Sequence, residues 1–373
     1  MMQRKTQSFI KHQWVKKTIT FFILIMVMQL HAQTPSVKLA IDWPKFLAQH
    51  DMVWDTMPAD YFEGAFVGNG LLGAILFKDD QQPNTLRFEI GRTDVYDHRS
   101  IDQPIAHSRE RLPIGQLLLT PKGEIQNVHI RTDLWNAEIR GEITTDLGKI
   151  SFRCFVPSAE KIIVLTMNNS GGEKNAQCNF RPEQAASPRY LAQPNRDKGF
   201  VYTPNPPFKI DTKENIHLVT QPLLVGDDYA TAWSDSIHKD GSRIVLVTVA
   251  NRWAKNRQPA TGSANDAFEV IKSAQQKPIA VMEKEHREWR HRFYPASFVS
   301  IPDTRLESFY WIQLYKLASA THPDKPVIDL MGPWFKHTVW PCLWMNLNVQ
   351  LTYYTTGITN HTDLEDPLYR LIE

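Results

Sequence analysis

From about residue 37 to residue 255 the chain is punctuated like a sheet: short apolar runs end every few residues in Gly, Pro, Asn or Asp, and helical spacing is scarce. Leu86–Ile90, Gln116–Thr120 and Asn127–Arg131 alternate or run apolar between such breaks. Ala137–Thr144 and Lys149–Val156 flank Asp146-Leu147-Gly148, a hairpin signal. Lys161–Met167 and Arg243–Ala250 are dense in Ile, Val and Leu, the second entered through an Asp240-Gly241 turn. So many strands over ~200 residues predict a large antiparallel two-sheet β-sandwich rather than a single small barrel. Residues 171–215, rich in Gly, Pro, Asn and Gln, break the pattern and are expected to be a long surface excursion.

The period then changes. Asn265-Asp266 reads as a helix cap ahead of Phe268, Val270 and Ile271, and Pro278 opens a second helix carrying Ile279, Met282, His286, Trp289 and Phe293 at helical spacing. After Ser297–Ile301, Thr304 with Glu307 offers a capping box, and Leu306, Phe309, Tyr310, Leu314 and Leu317 form an apolar stripe. The order expected is a sandwich domain over 33–260, a helical linker over 261–296 and an all-helical region over 297–373. The sequence stops at Glu373 inside LEDPLYRLIE, with room for two or three helices in that region. Apolar faces left in water cost ~25 cal/mol per Å2. A fragment or a truncated frame is therefore expected.

At the N-terminus Arg4, Lys5, Lys11, Lys16 and Lys17 precede the apolar run Phe21–Leu30, and Leu30-His31-Ala32 resembles a small-residue cleavage site. Residues 1–32 read as a cleaved secretory signal, which predicts export to a periplasmic or extracellular location. The rival, a retained anchor, fails on length, since a spanning helix needs ~20 apolar residues. Lys+Arg 42 against Asp+Glu 40 excludes a strongly charged partner such as nucleic acid and favours a neutral substrate. Three cysteines, Cys154, Cys178 and Cys342, offer neither zinc spacing nor a disulfide framework, and no metal or cofactor is expected.

The densest chemistry is GPWFKHTVWPCLWMNLNVQLTYYTTG, residues 332–357. Trp334, Trp340, Trp344, His337, Asn346, Asn348, Gln350, Tyr353 and Tyr354 crowd together there. Flat aromatic faces cover the apolar side of a pyranose, and amides read its hydroxyls, so an oligosaccharide or polysaccharide is the expected ligand. Each residue also has a plainer reading. Trp344 suits a pocket or domain packing, Trp340 suits packing, His337 suits an ordinary polar site, and the asparagines suit a polar helix start. Gly68-Asn69-Gly70 reads as a tight turn, and Arg92, Asp94, Asp97 and His98 as a salt-bridged loop or one reaching a cleft. Glu283, His286 and His291 read as solvent-facing or interface residues of the linker.

VGNGLLGAILF (Val67–Phe77), EIGRTDVYDHR (Glu89–Arg99) and the segment 332–354 together resemble glycoside hydrolase family 95, the inverting α-L-fucosidases and α-L-galactosidases. The wording departs from the family's at GRTDVYD and at Tyr353-Tyr354. The resemblance implies that the sandwich and linker lead into the beginning of an (α/α)6 barrel. It also implies that Asn348, with Asn346 as partner, positions the attacking water, and that Trp344, Trp334, His337, Gln350 and Tyr354 contact the sugar. An amide is a poor base, so the role requires a carboxylate behind it. Glu307, Asp324, Asp329, Asp363 and Glu365 match no context of the family's acid, and no general acid is assigned. Two alternatives stand beside an exported glycosidase: a non-catalytic carbohydrate-binding or scaffold protein, and a phosphorylase of the same architecture.

Overall fold

The computed structural model describes residues 40–99, 105–194, 197–238, 240–253 and 261–373. The signal segment expected at 1–32 lies outside the described residues, among which no helix is long and apolar enough to cross a membrane. Pro44–Glu373 form one compact unit.

Its strands build two antiparallel sheets. The larger orders β1 (Met52–Trp54), β6 (Ile125–Asp133), β7 (Glu138–Thr145), β8 (Gly148–Phe155), β9 (Ile163–Gly171), β14 (Arg243–Arg252), β13 (Asp228–Ile237), β12 (Ile216–Pro222) and β11 (Lys209–Lys213). The smaller orders β10 (Gln177–Pro182), β5 (Gly115–Thr120), β4 (Leu86–Arg92), β3 (Leu72–Lys78) and β2 (Ala65–Gly68). Strand alternation sends each second side chain to the opposite face, so every core strand serves two layers. Leu72, Ala74 and Leu76 of β3 enter the core between the sheets with Val245, Val247 and Val249 of β14. Ile75 and Phe77 face outward to Trp334, Val349 and Tyr353, and Leu246 and Ala250 face outward to Phe268 and Ile271. The β-sandwich followed by helices is the architecture expected, with helices Ser263–Gln276 and Ile279–Phe293 against the large sheet side and Thr304–Ala320, Gln350–Ile358 and Asp366–Ile372 after them.

Several local expectations need correction. The segment 171–215 is no mere excursion: it supplies β10, which pairs with β5, and β11, which pairs with β12. Its polar composition hides two strands because both are edge strands, and β11 is solvent-exposed along its whole length. The first helix is entered from Gly262, with Asp266 in its first turn bound to Arg252 rather than capping. The third is capped by Asp303, whose carboxylate accepts from the Arg305 and Leu306 amides, while Glu307 accepts from Ile301 N–H. Its buried face carries Trp311, Leu314, Tyr315 and Ala318, whereas Leu306 and Phe309 are exposed. The expected stripe thus holds at Leu314 and Leu317 and fails at Leu306 and Phe309, and the docking face is extended by Tyr315, whose hydroxyl donates to Phe66 O at 2.6 Å. Of the two readings of His286 the interface one holds: it is buried against the sandwich, its Nε2 3.1 Å from Ala137 O, and burial pushes its pKa down to about 3.

The Gly68-Asn69-Gly70 turn joins β2 to β3 as expected, and tertiary contacts explain its wording. Asn69 is buried, donating to Pro157 O and Glu160 O at 2.8 Å and accepting from Leu71 and Leu72 N–H. Gly70 has φ +83, and a Cβ there would lie 2.8 Å from His322 N at the end of the third helix. The turn is the seat on which that helix docks.

Candidate functional site

The chain between helices Thr304–Ala320 and Gln350–Ile358 has no regular secondary structure over most of residues 321–344 and crosses the outer face of the five-stranded sheet as a strap. Three devices hold it. Trp334 is buried and donates its indole N–H to Val67 O at 2.9 Å. Glu110 pairs with Cys342 as an isolated antiparallel bridge, and Arg111 N–H donates to Pro341 O at 2.7 Å. The Arg111 side chain, fully buried, donates to Asp329 Oδ2 at 2.9 Å and to Gly332 O at 2.8 Å. Asp329 is saturated: Oδ1 accepts from Met331 and Gly332 N–H, and Oδ2 also accepts from Tyr96 OH at 2.6 Å.

Close approach of strap and sheet requires Gly91, where a Cβ would sit 2.2 Å from Pro333 O and 2.8 Å from Trp334 Cα. Backbone on both sides leaves nowhere to yield. Gly91→Ala is expected to destabilise by about 1–3 kcal/mol, the range for overpacking. Urea unfolding measures it, and a change under about 0.5 kcal/mol would show that the strap shifts freely.

Between strap, third helix and the Tyr61-Phe62 loop lies a cleft of about 660 Å3. Tyr61, Phe62, Trp334 and Trp340 supply aromatic surface, and Gln313, Lys316, Lys336, Thr338, Thr352 and Thr355 supply polar groups. Of the residues expected to contact sugar, Trp334 lines this cleft. His337 lies in an adjoining 210 Å3 recess with Glu89, Arg87 and Phe335. There His337 Nε2 is 2.6 Å from Glu183 Oε1, and the hydrogen bond it donates to that carboxylate raises its pKa. Glu89, buried beside Arg87, is pushed up to about 7 by burial, with Glu183 adding to the rise. Trp344 packs edge-on against Trp340 at 5.6 Å, and its buried indole N–H has no partner among the described residues.

Asn346 and Asn348 flank Leu347, which has φ 74 and ψ −64, the values of a rare strained γ-turn. Leu347 N–H donates to Gln350 Oε1 at 2.9 Å. Both asparagines are exposed, and among the described residues neither side-chain amide makes a hydrogen bond, to a carboxylate or otherwise. The helix after them turns Leu351, Thr352 and Thr355 to the cleft and buries Val349, Tyr353 and Thr356. Gln350 and Tyr354, four residues apart, are exposed and do not line the cleft. Thr352 Oγ1 donates to the backbone O of Asn348 at 3.2 Å, a bond within one helical turn, and neither Asn346 nor Asn348 is among the residues lining the cleft.

The helical carboxylates have structural work. Glu307 holds Ile301 N–H beside His50, Asp324 binds Lys325 and His322, and Glu365 accepts from Thr356 Oγ1 and Tyr369 OH. Arg92 pairs with Asp94 and donates to Val249 O, as a salt-bridged loop does, and Asp94, Asp97 and His98 also line a second cleft of about 490 Å3, as the other reading expects. Among the described residues no group of three or more His, Cys, Asp or Glu is placed to hold a metal, and the three cysteines are buried and form no disulfide. Sequence reasoning does not find Arg111, Asp329, Lys316, Lys336, Glu89 and Glu183 as site residues. Only the Tyr61-Phe62 pair ahead of VGNGLLG carries a local aromatic signal.

No protein-family model matches the sequence, and no curated protein matches it. Two solved structures are similar in fold. A protein described as a kojibiose phosphorylase from the human microbiome aligns at 12% identity and TM-score 0.48, over 72% of this chain and 38% of its own. A bacterial glucoamylase complexed with acarbose aligns at 7% identity and TM-score 0.44, over 86% of this chain and 53% of its own. The chain spans less than two thirds of either.

Proposed function

We propose that this chain forms the sandwich and the first helical wall of an exported glycan-acting enzyme, an inverting glycosidase of the α-L-fucosidase-like type to which its motifs are similar. The observation that carries the reading is the aromatic cleft of about 660 Å3, with the exposed Asn348 one helical turn ahead of Thr352 in its lining. In this reading helices 304–320 and 350–358 begin an (α/α)6 barrel, Asn348 and Asn346 orient the attacking water, and Trp334 and the adjoining rings stack on the sugar. Inversion places base and acid ~6.5–9.5 Å apart across the bond, leaving room for that water. No described carboxylate of the helices takes the acid role.

The test is release of sugar from a panel of aryl glycosides and oligosaccharides by the protein. Asn348→Ala is expected to lower release by about 10²-fold or more, the scale of a lost acid–base partner, with an unchanged melting temperature. No release from the whole panel counts against the reading. The engagement of Glu307, Asp324, Asp329 and Glu365 in structural bonds favours a second reading, a non-catalytic carbohydrate-binding protein, which predicts glycan binding without turnover.

A further inference from the structure

We propose that the cleft accepts an acidic glycan, one bearing a hexuronate carboxylate or a comparable oxyanion, in preference to a neutral one; this rests on the glycan reading above and names its substrate class. The charge inventory of the wall carries it. Three charged side chains line the cleft: Lys316 from the third helix, Lys336 from the strap, and Asp329. Asp329 contributes no net negative charge, because Arg111 is paired with it in the interior and two backbone N–H groups and Tyr96 OH complete its acceptors. The lysines are not compensated. Among the described residues neither Lys316 nor Lys336 makes an ion pair.

Lys336 is moreover held in place without losing its donors. Its Nζ lies 3.8 Å from the centroid of Phe62 and 5.9 Å from that of Tyr61, so aromatic faces rather than a carboxylate stabilise the ammonium. The same two rings line the cleft. A sugar seated there meets apolar ring surface together with two cations on different walls. A sugar carboxylate answers that field, whereas a neutral sugar leaves it unanswered. The near balance of charge over the whole chain, 42 basic against 40 acidic residues, conceals this local excess.

The experiment titrates the full chain calorimetrically with three probes: a galacturonate trisaccharide, a galactose trisaccharide of the same linkage, and inorganic phosphate. The acidic trisaccharide is expected to bind about five- to tenfold or more tightly than the neutral one at low salt, with the preference shrinking as ionic strength rises. Lys316→Met and Lys336→Met should each reduce the acidic affinity by a larger factor than the neutral one, so that the acidic preference shrinks. Equal or tighter binding of the neutral trisaccharide overturns this inference and leaves the glycan reading standing. An acidic preference that survives both lysine variants overturns the assignment to this cleft. Binding of phosphate with neither sugar overturns both, as does binding of none of the three.

Discussion

Arg111→Met is expected to destabilise the folded chain by about 3–5 kcal/mol, the scale for removing one partner of a buried ion pair. Arg111 and Asp329 are both fully shielded in their side chains, 2.9 Å apart. Methionine fills much of the volume but leaves the Asp329 charge without its cation. It also leaves Gly332 O, and the more distant Trp334 O at 3.4 Å, without their donor. A second variant separates charge from packing. Arg111→Met combined with Asp329→Asn restores neutrality while keeping an acceptor for Met331 and Gly332 N–H, and is expected to lose less than the single variant. Urea unfolding reads both. A single-variant loss below about 1 kcal/mol, or a double variant no better than the single, overturns the argument. Because Asp329, Gly332 and Trp334 line the cleft, the single variant should also lose glycan binding.

Glu110→Gln is expected to stabilise the protein at pH 8 and to flatten its dependence on pH. Glu110 is fully buried, and the Ser187 hydroxyl beside it offsets only part of the cost of its charge. Burial, reinforced by Asp97, pushes its carboxyl from the ordinary 4.5 up to about 8. The folded state therefore keeps a proton that the unfolded state releases between about pH 4.5 and 8, and stability falls as pH rises through that window. Every tenfold gain in proton affinity on folding corresponds to ~1.4 kcal/mol, so the whole effect is on the order of a few kcal/mol. Glu89, raised to about 7, acts with the same sign over a shorter window. Glutamine has the shape of the protonated acid and no proton to lose. Melting temperature from pH 5 to pH 8 should drop steeply in the parent and less in Glu110→Gln, with the curves meeting at the acid end. Parallel curves would contradict the assignment.

The sandwich is legible in the sequence because its core strands obey local patterns. Arg243–Ala250 and Lys161–Met167 are apolar on both faces, and both faces of their strands are covered. Edge strands β10 and β11 are not legible: β11 is exposed along its whole length and has no apolar face to pattern, and β10 alternates over only two buried apolar residues, Cys178 and Phe180. The third helix is legible as a helix, but its buried face is not. Leu306 and Phe309 fit an apolar stripe, yet the side that docks is chosen by the seat at Gly70 and the bond from Tyr315 to Phe66 O. At the candidate site the motif 332–357 marks the right segment without separating its parts. Trp334 and Trp344 are alike as residues, but one lies against Gly73 and Gly91 of the sheet and the other packs on Trp340.

The sequence by itself determined strands β4 to β9 and β14, the switch from period 2 to period 3.6 after residue 261, and the position of the aromatic and amide-rich segment. These follow from short-range geometry, in which neighbouring side chains report their own backbone. Only the tertiary structure decided the electrostatics of the cleft. Arg111 and Asp329 stand 218 residues apart, and neither neighbourhood mentions the other. Their pairing cancels the acidic charge of the wall and leaves Lys316 and Lys336 as its net charge, because Coulomb interaction depends on distance in space and not along the chain.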